Sequence, residues 1–88
     1  EFRRVLFRSI YQDMIAVMPK GAASVEAQAC VERWRGNMDH FWTPSLEQLE
    51  GLADLYNEDP RFRANFEKMH PGLAEFMREA IRQYVKRH

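Results

Sequence analysis

The chain has 88 residues, 45% hydrophobic and 30% charged. That balance describes one domain with one modest core, and it excludes both a disordered segment and a two-lobed enzyme with a cleft between lobes. Its 13 basic residues equal its 13 acidic ones, which argues against direct nucleic-acid binding, because phosphate neutralisation needs a basic excess.

A single cysteine, Cys30, excludes an internal disulfide and a cysteine-based zinc cluster. No apolar run approaches the ~18 residues of a membrane span, so no membrane partner is expected and the simplest compartment is the cytoplasm. Four glycines and four prolines fall between periodic segments, and strict alternation is absent. The expected fold is all-α, a small bundle of four to five helices.

Residues 1–9 read EFRRVLFRS. The stretch Arg4-Val5-Leu6-Phe7-Arg8-Ser9 resembles the translation of a common sequencing adapter. On that reading residues 1–9 are a non-native scar, and residues 10–88 are an N-terminally truncated domain. The other reading is a basic amphipathic helical start, with Phe2, Leu6 and Ile10 four apart.

From Ile10 the elements follow in order. Ile10, Met14, Val17 and Met18 share one helix face, which Pro19-Lys20-Gly21 closes. A second helix starts at Ser24 as N-cap, with Glu26 in its first turn. Its stripe of Ala27, Cys30, Val31, Trp34, Met38 and Phe41 spans about five turns, ending at Thr43-Pro44. A third helix is capped either by the Ser45/Gln48 box or by Thr43 with Pro44 in its first turn. Leu46, Leu49, Leu52, Ala53 and Tyr56 form its inner face, and it stops near Asn57. Asp59 and Pro60 start a short fourth helix whose Phe62, Phe66 and Met69 repeat at four and three. Pro71-Gly72 ends it. A fifth helix runs to Lys86 with the most regular stripe of all: Leu73, Phe76, Met77, Ala80, Ile81 and Tyr84.

Leu73, Phe62, Phe66 and Phe76 are expected in the core, since a small domain must bury its large rings. Trp42 falls about 100° past Phe41, at the edge of the second helix's stripe, where a tryptophan either lines a groove or packs as core. The five methionines suit either a core or an adaptable binding surface. Cys30 has no neighbour in sequence that would lower its pKa and reads as a buried, inert thiol. His40, His70 and His88 lack metal-ligand spacing. No phosphate loop, nucleophile elbow or paired-carboxylate pattern occurs. Neither enzyme activity nor a cofactor or metal is expected.

Three pieces of text occur in order: Arg33-Trp34-Arg35 with Phe41-Trp42-Thr43-Pro44-Ser45; Leu52-Ala53-Asp54-Leu55-Tyr56-Asn57-Glu58-Asp59-Pro60-Arg61-Phe62; and Pro71-Gly72-Leu73-Ala74-Glu75-Phe76-Met77 with Ala80-Ile81 and Tyr84. Together they resemble the TipAS antibiotic-recognition domain, the C-terminal effector-binding part of MerR-type transcriptional activators. The resemblance implies a globin-like all-α architecture and reversible capture of a bulky, apolar antibiotic or drug-like ligand between helices. It also implies DNA contact through an N-terminal winged-helix domain absent here, and a homodimeric full-length regulator. In the thiostrepton-binding prototype a cysteine captures the ligand covalently; Gly51 stands at that position, so non-covalent binding is what transfers.

The expected ligand-binding residues are Trp34, Met38, Phe41, Trp42, Leu49 and Tyr56. The first helix has little apolar area and is expected to be loosely held until ligand binding orders it. The competing expectation is a structural or protein-interaction domain that uses the Trp34/Trp42 edge to hold a partner helix.

Overall fold

A computed structural model describes the backbone of residues 2–40 and 42–88 and the side chains of residues 7–40 and 42–88. Five α-helices follow in order: α1 (Phe2–Val17), α2 (Val25–Met38), α3 (Leu46–Glu58), α4 (Pro60–Met69) and α5 (Leu73–Arg87), with one 3-10 turn, Met18–Lys20, after α1. Among the described residues no strand forms. The all-α bundle read from periodicity is therefore present, with five helices.

Local chemistry sets most boundaries. Ser24 caps α2, its hydroxyl accepting from the Ala27 N–H at 3.1 Å. Of the two ways to start α3, the chain takes the capping box: Ser45 Oγ accepts from the Gln48 N–H at 3.2 Å, and Gln48 Oε1 accepts from the Ser45 N–H at 2.9 Å. Each bond satisfies a first-turn amide that has no partner within the helix. Asp59 caps α4 by accepting from the Arg61 N–H at 2.9 Å, with Pro60 in the first turn. Gly72 enters α5 at φ 84°, a left-handed conformation that a side chain would strain.

At two ends the helices run differently from the elements read from Ile10 onward. α1 begins at Phe2 and passes through Ile10 without a break. α2 ends at Met38, one turn short of Phe41, with Asp39 as its C-cap. The chain still turns once more, since the Trp42 N–H donates to the Met38 carbonyl at 2.9 Å.

α5 is the central element. It packs on α3, α2 and α4, while α1 lies chiefly against α2. Leu73, Ala74, Met77, Ala80, Ile81 and Tyr84 of α5 are all buried, and Ile10, Met14, Cys30, Val31, Trp34, Met38, Leu49, Ala53, Tyr56 and Phe66 join them in the core. Polar ties fix the register. Asn57 on α3 is buried, and its amide donates to the Ala74 carbonyl on α5 at 2.8 Å. Tyr84 on α5 donates its hydroxyl to Glu32 on α2 and accepts from Arg35 Nη1 at 3.1 Å.

Two rings expected in the core are only partly covered, Phe76 packing against its edge. Phe62 is 39% exposed and Phe76 is half-buried. α4 is only ten residues long, and Phe66 alone among its residues is buried. Phe62, a turn earlier, leans on Tyr56 with the two ring planes tilted by 49°.

Candidate functional site

α1 and α4 meet through side chains rather than by close backbone packing. The Tyr11 ring stands edge-on to Phe66 at 5.1 Å. Phe66 in turn meets Tyr56 at 5.0 Å, and Tyr56 meets Trp34 at 6.4 Å. Phe62 leans on Tyr56 at 5.4 Å, and Phe7 stacks against Tyr11 at 6.4 Å. Four helices thus contribute rings to one aromatic seam. Edge-to-face geometry at these spacings is favourable, and each pair adds about 0.5–1.5 kcal/mol beyond its buried area. Beside the seam runs a groove with about 200 Å³ of free volume, lined by Arg8, Gln12 and Ile15 of α1 and Met69 of α4.

The polar atoms of the seam are neutral. Burial, and after it the neighbouring Tyr56 hydroxyl, pushes the Tyr11 phenol well above its ordinary range; the Trp34 indole opposes this weakly. Tyr11 therefore stays protonated at any physiological pH. Trp34 Nε1 is buried, and the Tyr11 hydroxyl lies beside its N–H as an acceptor. Outside the seam, Arg33 of α2 bonds Asp13 of α1 at 2.6 Å and holds the two helices together at their exposed edge.

The expected site residues separate. Trp34, Met38, Leu49 and Tyr56 are interior residues, Trp34 and Leu49 with no exposed surface at all. Trp42 is 43% exposed. Phe41 lies outside the described residues. Trp34 and Tyr56 meet in the seam, so these two share one location. No surface of the Trp34 indole faces solvent.

Sequence reasoning missed Tyr11, Gln12, Ile15 and Met69. The signal was present: Arg8, Tyr11, Gln12 and Ile15 recur at three, one and three, a second stripe beside the Ile10/Met14 face. Cys30 is buried, and burial raises its thiol pKa, which leaves it a poor nucleophile. Gly51 is exposed on α3, with open space where a side chain would stand. Among the described residues no group of three His, Cys, Asp or Glu side chains is placed to hold a metal. Among the described residues no helix is long and apolar enough to cross a membrane.

The described helices form one bundle with an aromatic seam and a groove of mixed polar and apolar lining. Residues 4–84 match the model of the TipAS antibiotic-recognition domain, and the chain belongs to that family. Among curated proteins it is 36% identical over 76 residues to the HTH-type transcriptional activator mta of Bacillus subtilis, an alignment covering 85% of this chain and 30% of that protein. It is 28% identical over 83 residues to the HTH-type transcriptional regulator SkgA of Caulobacter vibrioides, covering 90% of this chain and 32% of that one. The chain thus spans about a third of the length of the regulators it matches. No solved structure matches.

Proposed function

We propose that this chain is the effector-binding domain of a MerR-type transcriptional regulator and takes a bulky, apolar, antibiotic-like molecule without covalent capture. The observation that carries the proposal is the side-chain seam between α1 and α4. There Tyr11 closes on Phe66 at 5.1 Å, and the groove of Arg8, Gln12, Ile15 and Met69 opens beside it. A ligand wedged into that groove exchanges ring–ring contacts for ligand–ring contacts and alters how α1 sits on α2. Gly51, at the place of the prototype's capturing cysteine, offers no nucleophile, and buried Cys30 does not replace it, so the binding is reversible.

α1 is the output element. Its apolar anchors, Ile10 and Met14, are buried, and among the described rings it meets α4 through Tyr11 and Phe66. Ligand binding shifts the population of α1 between looser and tighter docking, and the change passes to the rest of the regulator. DNA contact and dimerisation belong to the longer protein, consistent with the zero net charge here. We assign the domain a binding role in the cytoplasm and no catalytic one.

Titration with a panel of thiopeptides and hydrophobic drugs, followed by tryptophan fluorescence, tests this reading. Trp34 emission is expected to change on binding, and Tyr11→Ala to weaken that response. Silence from both indoles across the panel overturns it. A second reading, a partner-helix docking domain, draws on exposed Trp42, Phe62 and Met69, which are 43%, 39% and 46% exposed. In that case only Trp42 responds, and only to a protein partner.

A further inference from the structure

The groove between α1 and α4 is lined half by apolar and half by polar side chains. Ile15 and Met69 supply the apolar surface, and Arg8 and Gln12 supply a guanidinium and an amide. Arg8, Gln12 and Ile15 recur at four and three along α1, so they share one side of that helix. Charge on the two walls is committed unevenly. The carboxylate of α1, Asp13, is bonded to Arg33 of α2 at 2.6 Å. The carboxylate of α4, Glu67, accepts from the Gly72 and Ala74 N–H groups at 3.0 and 3.4 Å, at the start of α5. Arg8 is exposed, and among the described residues it makes neither an ion pair nor a hydrogen bond. Lys68, next to Met69 on α4, is exposed and forms no ion pair either. The groove therefore sets apolar surface beside a cation whose neighbouring carboxylates are already taken. Arg8 falls inside residues 4–84, the part of the chain that the family match spans.

We propose, building on the ligand-binding reading above, that the molecule taken by this groove is an amphipathic acid, its apolar body lying on Ile15 and Met69 and its carboxylate standing on the Arg8 guanidinium with the Gln12 amide beside it. The charge and the exposure of the lining both favour an acid. A wholly apolar guest covers part of Arg8 and Gln12 and returns no hydrogen bond for the water it displaces. A cationic guest meets like charge. A carboxylate at the rim keeps part of its hydration, and the planar guanidinium offers it two parallel donors, a charge-assisted and directional contact. The apolar body supplies affinity through burial, and the acid end selects among greasy molecules.

Two probes of nearly one shape separate this proposal from the broader reading: naphthalene-2-carboxylate, which is charged at neutral pH, and naphthalene-2-carboxamide, which is not. Each is titrated into the full chain labelled with ¹⁵N and with ¹³C methyl groups. Both probes are expected to move the Ile15 and Met69 methyl signals. Only the carboxylate is expected to shift the Arg8 Nε–H signal. The carboxylate is expected to bind about fivefold tighter than the amide, the size of one partly exposed charge-assisted contact. Arg8→Gln is expected to bring that ratio to about one, and NaCl at about 0.5 M to reduce it by screening. Arg8 is exposed, so its replacement leaves the fold in place. Equal affinity of the two probes for the unmodified chain, with the methyl signals moving, overturns the acid proposal and leaves the groove as a site for apolar molecules. A preference for the carboxylate that survives Arg8→Gln overturns the assignment to Arg8. Absence of any methyl response to either probe overturns the groove as well.

Discussion

Tyr11 on α1 and Phe66 on α4 meet edge to face with ring centroids 5.1 Å apart and planes at 86°. This pair joins the α1/α2 side of the molecule to the α3/α4 side, and the groove opens next to it. Its worth follows from ring burial plus the aromatic geometry. Tyr11→Ala is expected to lower stability by about 2 kcal/mol, below the range for a fully buried ring because Tyr11 is half-buried. Hydrogen exchange should localise the loss to α1, with α3 and α5 unchanged. A global loss spread over all helices contradicts the seam as a separable contact.

Asn57 tests the frame that holds the site. Its amide donates to Ala53 O at 3.3 Å and to Ala74 O at 2.8 Å, and its Oδ1 accepts from Arg63 Nη1 at 3.4 Å. Asn57→Ala removes the inter-helix bond and opens a small void, an expected cost of about 1–3 kcal/mol in urea denaturation. A neutral result would mean that apolar packing alone sets the α3/α5 register.

The acid limb of stability has a named contributor. Glu67 on α4 accepts from the Gly72 N–H at 3.0 Å and from the Ala74 N–H at 3.4 Å, and these bonds at the start of α5 hold its carboxyl pKa below the ordinary value. Asp59, bonded to the Arg61 N–H, is lowered in the same way. A lowered folded-state pKa means that the unfolded chain binds protons first. The stabilisation is therefore present above the ordinary carboxylate value of about 4 and is lost as pH falls through the folded-state value. Urea midpoints should decline on acidification in that window, and Glu67→Gln should flatten the decline. An unchanged slope in Glu67→Gln contradicts the assignment.

Helix caps supply a simpler check. Ser24→Ala removes the acceptor for the Ala27 N–H and should cost about 1 kcal/mol. Ser45→Ala, which breaks one arm of the α3 capping box, should cost a similar amount. If Ser45→Ala is silent while Thr43→Ala is not, the helix start is misplaced.

What the sequence revealed and what it hid divide along a physical line. Ser24, the Ser45/Gln48 box and Asp59-Pro60 act on backbone groups within three residues, so their roles were readable locally. The α5 stripe was equally plain, because a central helix packed by several neighbours must show one continuous apolar face. Phe62 misled: helical spacing places it with Phe66, but a ten-residue rim helix sinks only one ring. Asn57 read as a helix end, and its partner Ala74 lies on another helix. Tyr11 was hidden for a related reason, since its stripe on α1 is amphipathic and gains meaning only once α4 is seen opposite it. Trp34 and Tyr56 lie on different helices, and their ring contact at 6.4 Å is seen only in the fold. That neither is open to solvent could not come from spacing alone.

The central claim is that a ligand acts on the seam through α1. It is tested most directly by hydrogen exchange across Ile10–Met18, with and without a hydrophobic antibiotic that changes tryptophan fluorescence. The account predicts slower exchange of these amides in the bound state, with α3 and α5 little altered. Equal protection of Ile10–Met18 in the two states, with binding independently verified, would contradict it.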